Sequence, residues 1–240
     1  PRLAILGLLT GILTAVVIIL FRELTELSQN NVLGLSDPDN YEQLDSLTRV
    51  FLATGGGLLL GIVFHFLTHS ARSTGVVHVM ERLLFHQGRL PLKNALVHFF
   101  GALTSIVSGH SVGREGPGIH VGAASGSQLG SILNLSSNDI RTLVACGGAA
   151  RIAAGFNTPL AGVIFVMEVI MMEYTINRFT PIILAAVSAT ILTRLYYSNE
   201  AIIAVDVSSA KLIAEMAIFT FMGLAIGVLA AGFIKILLFI

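Results

Sequence analysis

The stretch "SGHSVGREGPGIHVG", residues 108–122, sets an arginine–glutamate pair among glycines and directly before a proline. Pro117 suits the first turn of a helix, where its missing N–H costs nothing. Gly113 and Gly116 are expected to let the backbone turn sharply and approach a ligand closely. After Pro117 the small residues of "GIHVGAASGSQLG" allow helices to pack tightly. The stretch therefore reads as a helix N-terminus set deep in the protein. Its free N–H groups and the positive end of its dipole converge on one spot, which makes an anion site.

The rest of the chain is oily. Of its 240 residues, 54% are hydrophobic and 12% charged, and the mean hydropathy is +0.83. Soluble domains carry about 25% charged residues, so this chain cannot clothe a water-facing surface and reads as a polytopic membrane protein. Its net charge of zero argues against a nucleic-acid partner. The single Cys146, within "LVACGGAA", has no partner for an intrachain disulfide and reads as a packing residue. The opening run Leu3–Leu20 lacks a small-residue cleavage pattern and reads as a retained span. Because the last apolar run has no polar tail, residues 1–240 are expected to be a single transmembrane domain cut from a longer protein.

Apolar runs come in two lengths. Leu3–Phe21, Val50–Thr68, Phe179–Tyr197 and Leu212–Ile240 are long enough to span. Ala95–Ser108, Pro117–Leu133, Thr142–Phe156 and Pro159–Met172 are shorter and bounded by Gly, Pro or polar clusters. A run of about 14 residues rises only ~21 Å against a ~30 Å hydrocarbon core. Backbone that stops inside a membrane must be buried in protein or line a wet cavity, so such broken segments point to a transport site. Packed core helices of a soluble protein are the alternative, and the long runs with so little charge argue against it. The acidic connection Phe21–Arg49, with "SDPDN" (36–40) as its turn, is expected outside. The connection His69–Asn94, with Arg72, Arg82, Arg89 and Lys93, is expected in the cytoplasm.

Glu115 is the anion already at the site. A charge at the bilayer centre costs roughly 2.5–3.5 kcal/mol on insertion scales, and one helix terminus returns roughly 0.5–2 kcal/mol. Several N-termini converging with Arg114 would suffice. A carboxylate so placed sits near its protonation threshold. Once neutralised it leaves the site to a dissolved anion, which makes a gate set by pH and anion concentration. On these residues alone, a surface pair of Arg114 and Glu115 on a loop remains the alternative.

"GREGP" (Gly113–Pro117), followed by "GFNTPLAGVIFVME" (Gly155–Glu168), resembles the CLC family of chloride channels and proton-coupled chloride exchangers. The resemblance implies an all-α fold of tilted and partly spanning helices, this chain being the first half of an inverted repeat. It implies a homodimer with one anion pore per subunit, in a plasma or bacterial inner membrane, with chloride as substrate and no cofactor. Glu115 matches the family's gating glutamate, which competes with chloride and relays protons. Gly113, Arg114, Gly116 and Pro117 match its neighbours at the anion site. The family's Gly-Ser-Gly-Ile-Pro signature matches "STGVV" (Ser73–Val77), which offers Thr74, Gly75 and Val76 as pore-lining residues. There Thr74 replaces the serine donor, with Ser73 as fallback, and Val77 replaces the proline. Val169 stands where exchangers carry an inner proton-passing glutamate after Glu168. An apolar side chain carries no proton, so a voltage- or pH-gated channel is favoured, with proton/chloride exchange as the alternative. Phe179–Tyr197 and the helix ending near Met172 match elements of the family's dimer interface.

Other residues carry less. His65 and His69 have the i, i+4 spacing of a metal pair on one helix face, but no third ligand accompanies them. His110 and His120 flank the gate and could tune its proton affinity, with packing as the plainer role. Glu173 and Arg178 read as a helix end in water. An intramembrane enzyme is the remote alternative, and Gly-x-Ser-x-Gly and HExxH motifs are both absent from the sequence.

Overall fold

The computed structural model describes residues 2–35, 40–172, 175–197 and 212–239, and among them there are helices and no strand. Residues 36–39 of the expected outer turn and Glu173 lie outside the described residues. The helices are α1 Arg2–Leu33, α2 Ser46–Phe66, α3 His69–Arg72, α4 Gly75–Phe85, α5 Leu92–Val107, α6 Glu115–Ile132, α7 Ser137–Phe156, α8 Pro159–Phe165, α9 Ile176–Tyr197 and α10 Leu212–Phe239. A π-helical turn, Val166–Met171, continues α8. Stretches within α1, α2, α9 and α10 are long and apolar enough to cross a membrane, as their long runs implied.

Three boundaries differ from the sequence reading. α1 does not stop at Phe21 but runs on through "RELTELSQNNVL" to Leu33, so Glu23 and Glu26 sit on a helix and not in a loop. Straight-chain helix formers favour this continuation, Arg22 pairs with Glu26 at 2.6 Å, and Thr25 and Gln29 are buried. α7 begins at Ser137, five residues before the expected Thr142. Ser136 caps it, accepting from the Asp139 N–H at 3.3 Å while its hydroxyl donates to the Asp139 carboxylate at 2.8 Å. At 20 residues α7 is about 30 Å long and not a short piece. Finally, α2 ends at Phe66 with Leu67 extended, so His65 and His69 lie on either side of a helix break and do not share a face.

The bundle Pro1–Ile202 is built on close helix contacts. α6 repeats glycine every fourth residue, at 118, 122, 126 and 130, and α7 packs antiparallel onto that stripe. A β-carbon at Gly122 would fall 2.5 Å from the Gly147 carbonyl oxygen, and one at Gly126 would overlap the Leu143 carbonyl. One at Gly130 would meet Ile140 at 2.9 Å. α1 lies parallel to α9 in the same manner, with Gly7 on Pro181 and Gly11 on Ala185. The Ser188 hydroxyl reaches the Leu8 carbonyl at 3.3 Å. α7 is the buried centre, fully enclosed at Leu143, Ala145, Cys146, Ala149, Ala150 and Ala153. Cys146 is thus a packing residue, as its small neighbours implied. α10 belongs to a second compact unit, Ile203–Ile240, and is an apolar helix of 28 residues.

Gly126→Val drives side-chain atoms into the α7 backbone, an overpacking that costs about 1–3 kcal/mol or more. Gly227→Val on α10, where a β-carbon meets nothing within 4 Å, serves as control. Size-exclusion profiles and melting curves of the detergent-solubilised full-length protein should show loss for the first and near-normal behaviour for the second. Equal behaviour of the two would refute the close-contact account.

Candidate functional site

α5 ends at Val107, and Gly109, with φ +75°, turns the chain out of it against the Tyr41 ring. The Tyr41 hydroxyl donates to the Ile106 carbonyl at 2.6 Å, which pins this turn to the segment after α1. The left-handed turn therefore falls on Gly109, whereas Gly113 and Gly116 have negative φ. Their role is space. The Glu115 carboxylate folds back over Gly113, where a β-carbon would come within 2.5 Å of Oε2, while the surroundings of Gly116 are open.

Glu115 is the first residue of α6, Arg114 is its N-cap, and Pro117 lies in the first turn as expected. The helix start was expected deep in the protein, but Glu115 is exposed there, as are Ser111, Val112 and Gly113 before it. Behind it stands a cation the sequence reading missed. Arg151 of α7, only 8% exposed, donates from Nη2 to the Arg114 carbonyl at 3.0 Å. That carbonyl also accepts the Gly118 N–H at 3.2 Å, the opening bond of α6. A β-carbon at Gly118 or Gly155 would overlap the guanidinium, so two glycines make its berth. Glu115 and Arg114 both act on Arg151 electrostatically. The signal in sequence was a lone charge inside "LVACGGAARIAAGF".

α4 supplies a second helix start. Gly75 holds φ +87°, a left-handed conformation in otherwise open space, so it is the backbone that demands glycine here. Thr74 is the N-cap, extended, and its hydroxyl makes no capping bond. The turn before it is clamped by buried Asn94, whose amide donates to the Ser70 and Ser73 carbonyls at 2.7 and 2.9 Å. Val76 is half-buried. The two helices touch one turn in, where the His78 and His120 rings lie 5.3 Å apart. Each N-terminus is thus within about 8 Å, along its own helix, of one shared contact.

The "GFNTP" segment folds as its residues demand. Asn157 ends α7 with φ 58°, which asparagine tolerates, and Pro159 opens α8. The π-turn that follows exposes Glu168 and Val169 while burying Val166, Met167 and Ile170. Such turns recur at functional sites. His110 bonds the Ser105 carbonyl at 3.2 Å. Among the described residues no cluster of His, Cys, Asp or Glu could hold a metal ion.

Comparison with known proteins bears on the fold and the family. A ClcB-like protein of Ralstonia nicotianae, named as a chloride channel protein, is 32% identical over 188 residues, 77% of this chain and 43% of that protein. The H(+)/Cl(-) exchange transporter ClcA of Vibrio cholerae is 34% identical over 140 residues, 57% of this chain and 30% of the relative. The chain thus spans less than half the length of these relatives. Two solved structures share its fold over 95% of this chain and 55% of theirs. A slow cyanobacterial Cl-/H+ antiporter matches with a TM-score of 0.75 at 23% identity, and a CLC-type fluoride/proton antiporter with 0.74 at 24%. The family profile described as "Voltage gated chloride channel" matches residues 56–240. Its glycine-bedded α6 start and its "GFNTP" break are therefore features of a chain that belongs to the voltage-gated chloride channel, or CLC, family.

Proposed function

We propose that this chain supplies the first half of an anion-transporting subunit in a membrane, that chloride is its substrate, and that Glu115 is the gate. The observation that carries the reading is the arrangement at the start of α6. A carboxylate stands on the first helical residue, nothing lies within 4 Å of where a Gly116 β-carbon would sit, and a buried arginine braces the turn from behind. The dipole and N–H groups of a helix start attract whichever anion is present, so the fixed carboxylate and a dissolved halide compete for one place. Gly113, Arg114, Gly116 and Pro117 frame that place. Thr74, Gly75 and Val76 at the start of α4 line the pathway, where the uncapped Thr74 hydroxyl is a hydrogen-bond donor for the ion.

Val169 supports passive conduction, because a valine at this position passes no proton. Proton/chloride exchange is the second reading, favoured by the exchange transporter named among the relatives. Two copies form the working unit in this proposal. Leu160 and Ile164 of α8, and Val187, Ile191 and Leu195 of α9, are exposed apolar residues at four-residue spacing, which suits a helix face buried against a second subunit in the bilayer.

Glu115→Gln, a neutral near-isostere, should keep anion flux and abolish its dependence on pH at the outer face. Flux from liposomes that still follows outer pH would remove Glu115 from the gate. Thr74→Val keeps shape but loses the hydroxyl, and should weaken chloride binding by about ten- to a hundred-fold, the worth of one hydrogen bond to a charged group. Unchanged binding in calorimetry would exclude Thr74 as a ligand. Reversal potentials of the intact protein should follow the chloride gradient alone. A stoichiometric proton contribution would select exchange.

A further inference from the structure

Three histidines that the anion reading does not use meet where α4, α5 and α6 pack. His98 and His120 pair through their Nδ1 atoms at 3.1 Å, with ring centres 5.2 Å apart. The His78 ring stands edge-on to His120 at 5.3 Å. His120 is wholly buried, His78 is 7% exposed and His98 is half-buried.

A neutral imidazole has one N–H and one bare nitrogen. Whichever ring donates in the Nδ1 pair, His120 is left with an Nε2 that has no hydrogen-bond partner, and neither nitrogen of His78 has one. Buried polar atoms without partners destabilise a fold, and leucine or phenylalanine would fill this space without that penalty. Packing alone does not account for three imidazoles. A metal does not either, since no group among the described residues has the arrangement to hold one.

One exposed acid adjoins the cluster. Glu81, with a side chain 52% exposed, has its carboxylate 3.8 Å from His78 Nδ1, too far for a hydrogen bond but close enough to act on it. Burial opposes a charge on His78 and on His120, and so do Arg82 and His86 beside the first and His98 and His78 beside the second, so the cluster is neutral until an anion at the helix start offsets them. Glu115 precedes His120 by five residues on α6, about 7.5 Å along the axis.

We propose that His78, His98 and His120 form a buried proton-binding site, loaded from the Glu81 face, whose charge is coupled to anion occupancy at the α6 N-terminus. This rests on the reading of that N-terminus as the anion site. Loading starts with His78 protonated on Nε2 and His120 on Nδ1. An O–H bond of hydronium on the Glu81 face breaks as an N–H bond forms at His78 Nδ1. A turn of the His78 ring lets its Nε2 proton pass to Nε2 of His120. The cluster then holds one added proton as a His120–His98 N–H⁺···N pair, His78 is again neutral with its proton now on Nδ1, and water is left on the Glu81 face. A charge-assisted pair is about twice as strong as a neutral one. Its positive charge favours any anion at the helix start above. By linkage, an anion there strengthens the cluster's hold on the proton.

The test uses the full-length protein carrying Glu115→Gln, so that the gate no longer titrates. In liposomes, chloride flux at sub-saturating chloride should change about five-fold or more between about pH 7 and pH 4 on the Glu81 face, because burial holds the cluster below the usual histidine range. Adding His98→Gln and His120→Gln should remove that dependence. Flux indifferent to pH on the Glu81 face, or a dependence that survives the histidine substitutions, overturns the proposal. Failure of the Glu115 reading is separate, because it shows as pH dependence on the opposite face. If the added substitutions prevent folding, nitrogen NMR of the imidazoles in the Glu115→Gln protein decides. A titration midpoint that rises with chloride supports the coupling, and one unmoved by chloride overturns it.

Discussion

The contact between α6 and α7 is the constraint on which the rest depends. Two helix backbones approach so closely that no β-carbon fits at Gly122 or Gly126 on one side or at Gly147 on the other. In a membrane there is no hydrophobic drive between helices, so this closeness, with its dispersion and weak polar contacts, is what holds them. The register it sets continues to Gly118, where it delivers Arg151 to the N-cap carbonyl of α6. The start of α6 is therefore positioned by the helix behind it and not by its own loop.

That arrangement also shows how charge is tolerated in an apolar chain. Arg151 is buried, yet its guanidinium meets a carbonyl at the positive end of a helix. A cation at a helix start is opposed by the dipole. It becomes favourable only if an anion shares the place, and Glu115 stands there. A fixed cation and a helix dipole thus jointly favour a negative charge there, and the Glu115 carboxylate supplies one. On the other side of α6, three imidazoles pack together where α4, α5 and α6 meet.

Much of this was legible in sequence because it is written in breaks and small residues. The long apolar runs became the spanning helices, "FNTP" became a helix end and a helix start, and "GREGP" became the first turn of α6. What failed was the assumption that charge ends a membrane helix. Polar residues after Phe21 instead continue α1, because Thr25 and Gln29 are buried against the bundle. Gly113 and Gly116 looked like turn residues, but the turn is made four residues earlier, at Gly109. A glycine's letter does not say whether it serves torsion or space. Arg151, His78 and His98 went unread because each is a single polar letter in an apolar run, and they acquire meaning only when helices distant in sequence bring them together.

The glycine stripe has one more consequence, for the order of assembly. α6 carries four glycines in its packing face, each about 1 kcal/mol poorer than alanine as a helix former. It is also absent from the helices apolar enough to cross a bilayer unaided. Neither intrinsic propensity nor partitioning into lipid secures it alone. During synthesis α6 leaves the ribosome before the helix that clasps it, so this pair of helices can close only after Phe156 has emerged. Until then the translocation machinery, not the bilayer, is the natural shelter for this segment.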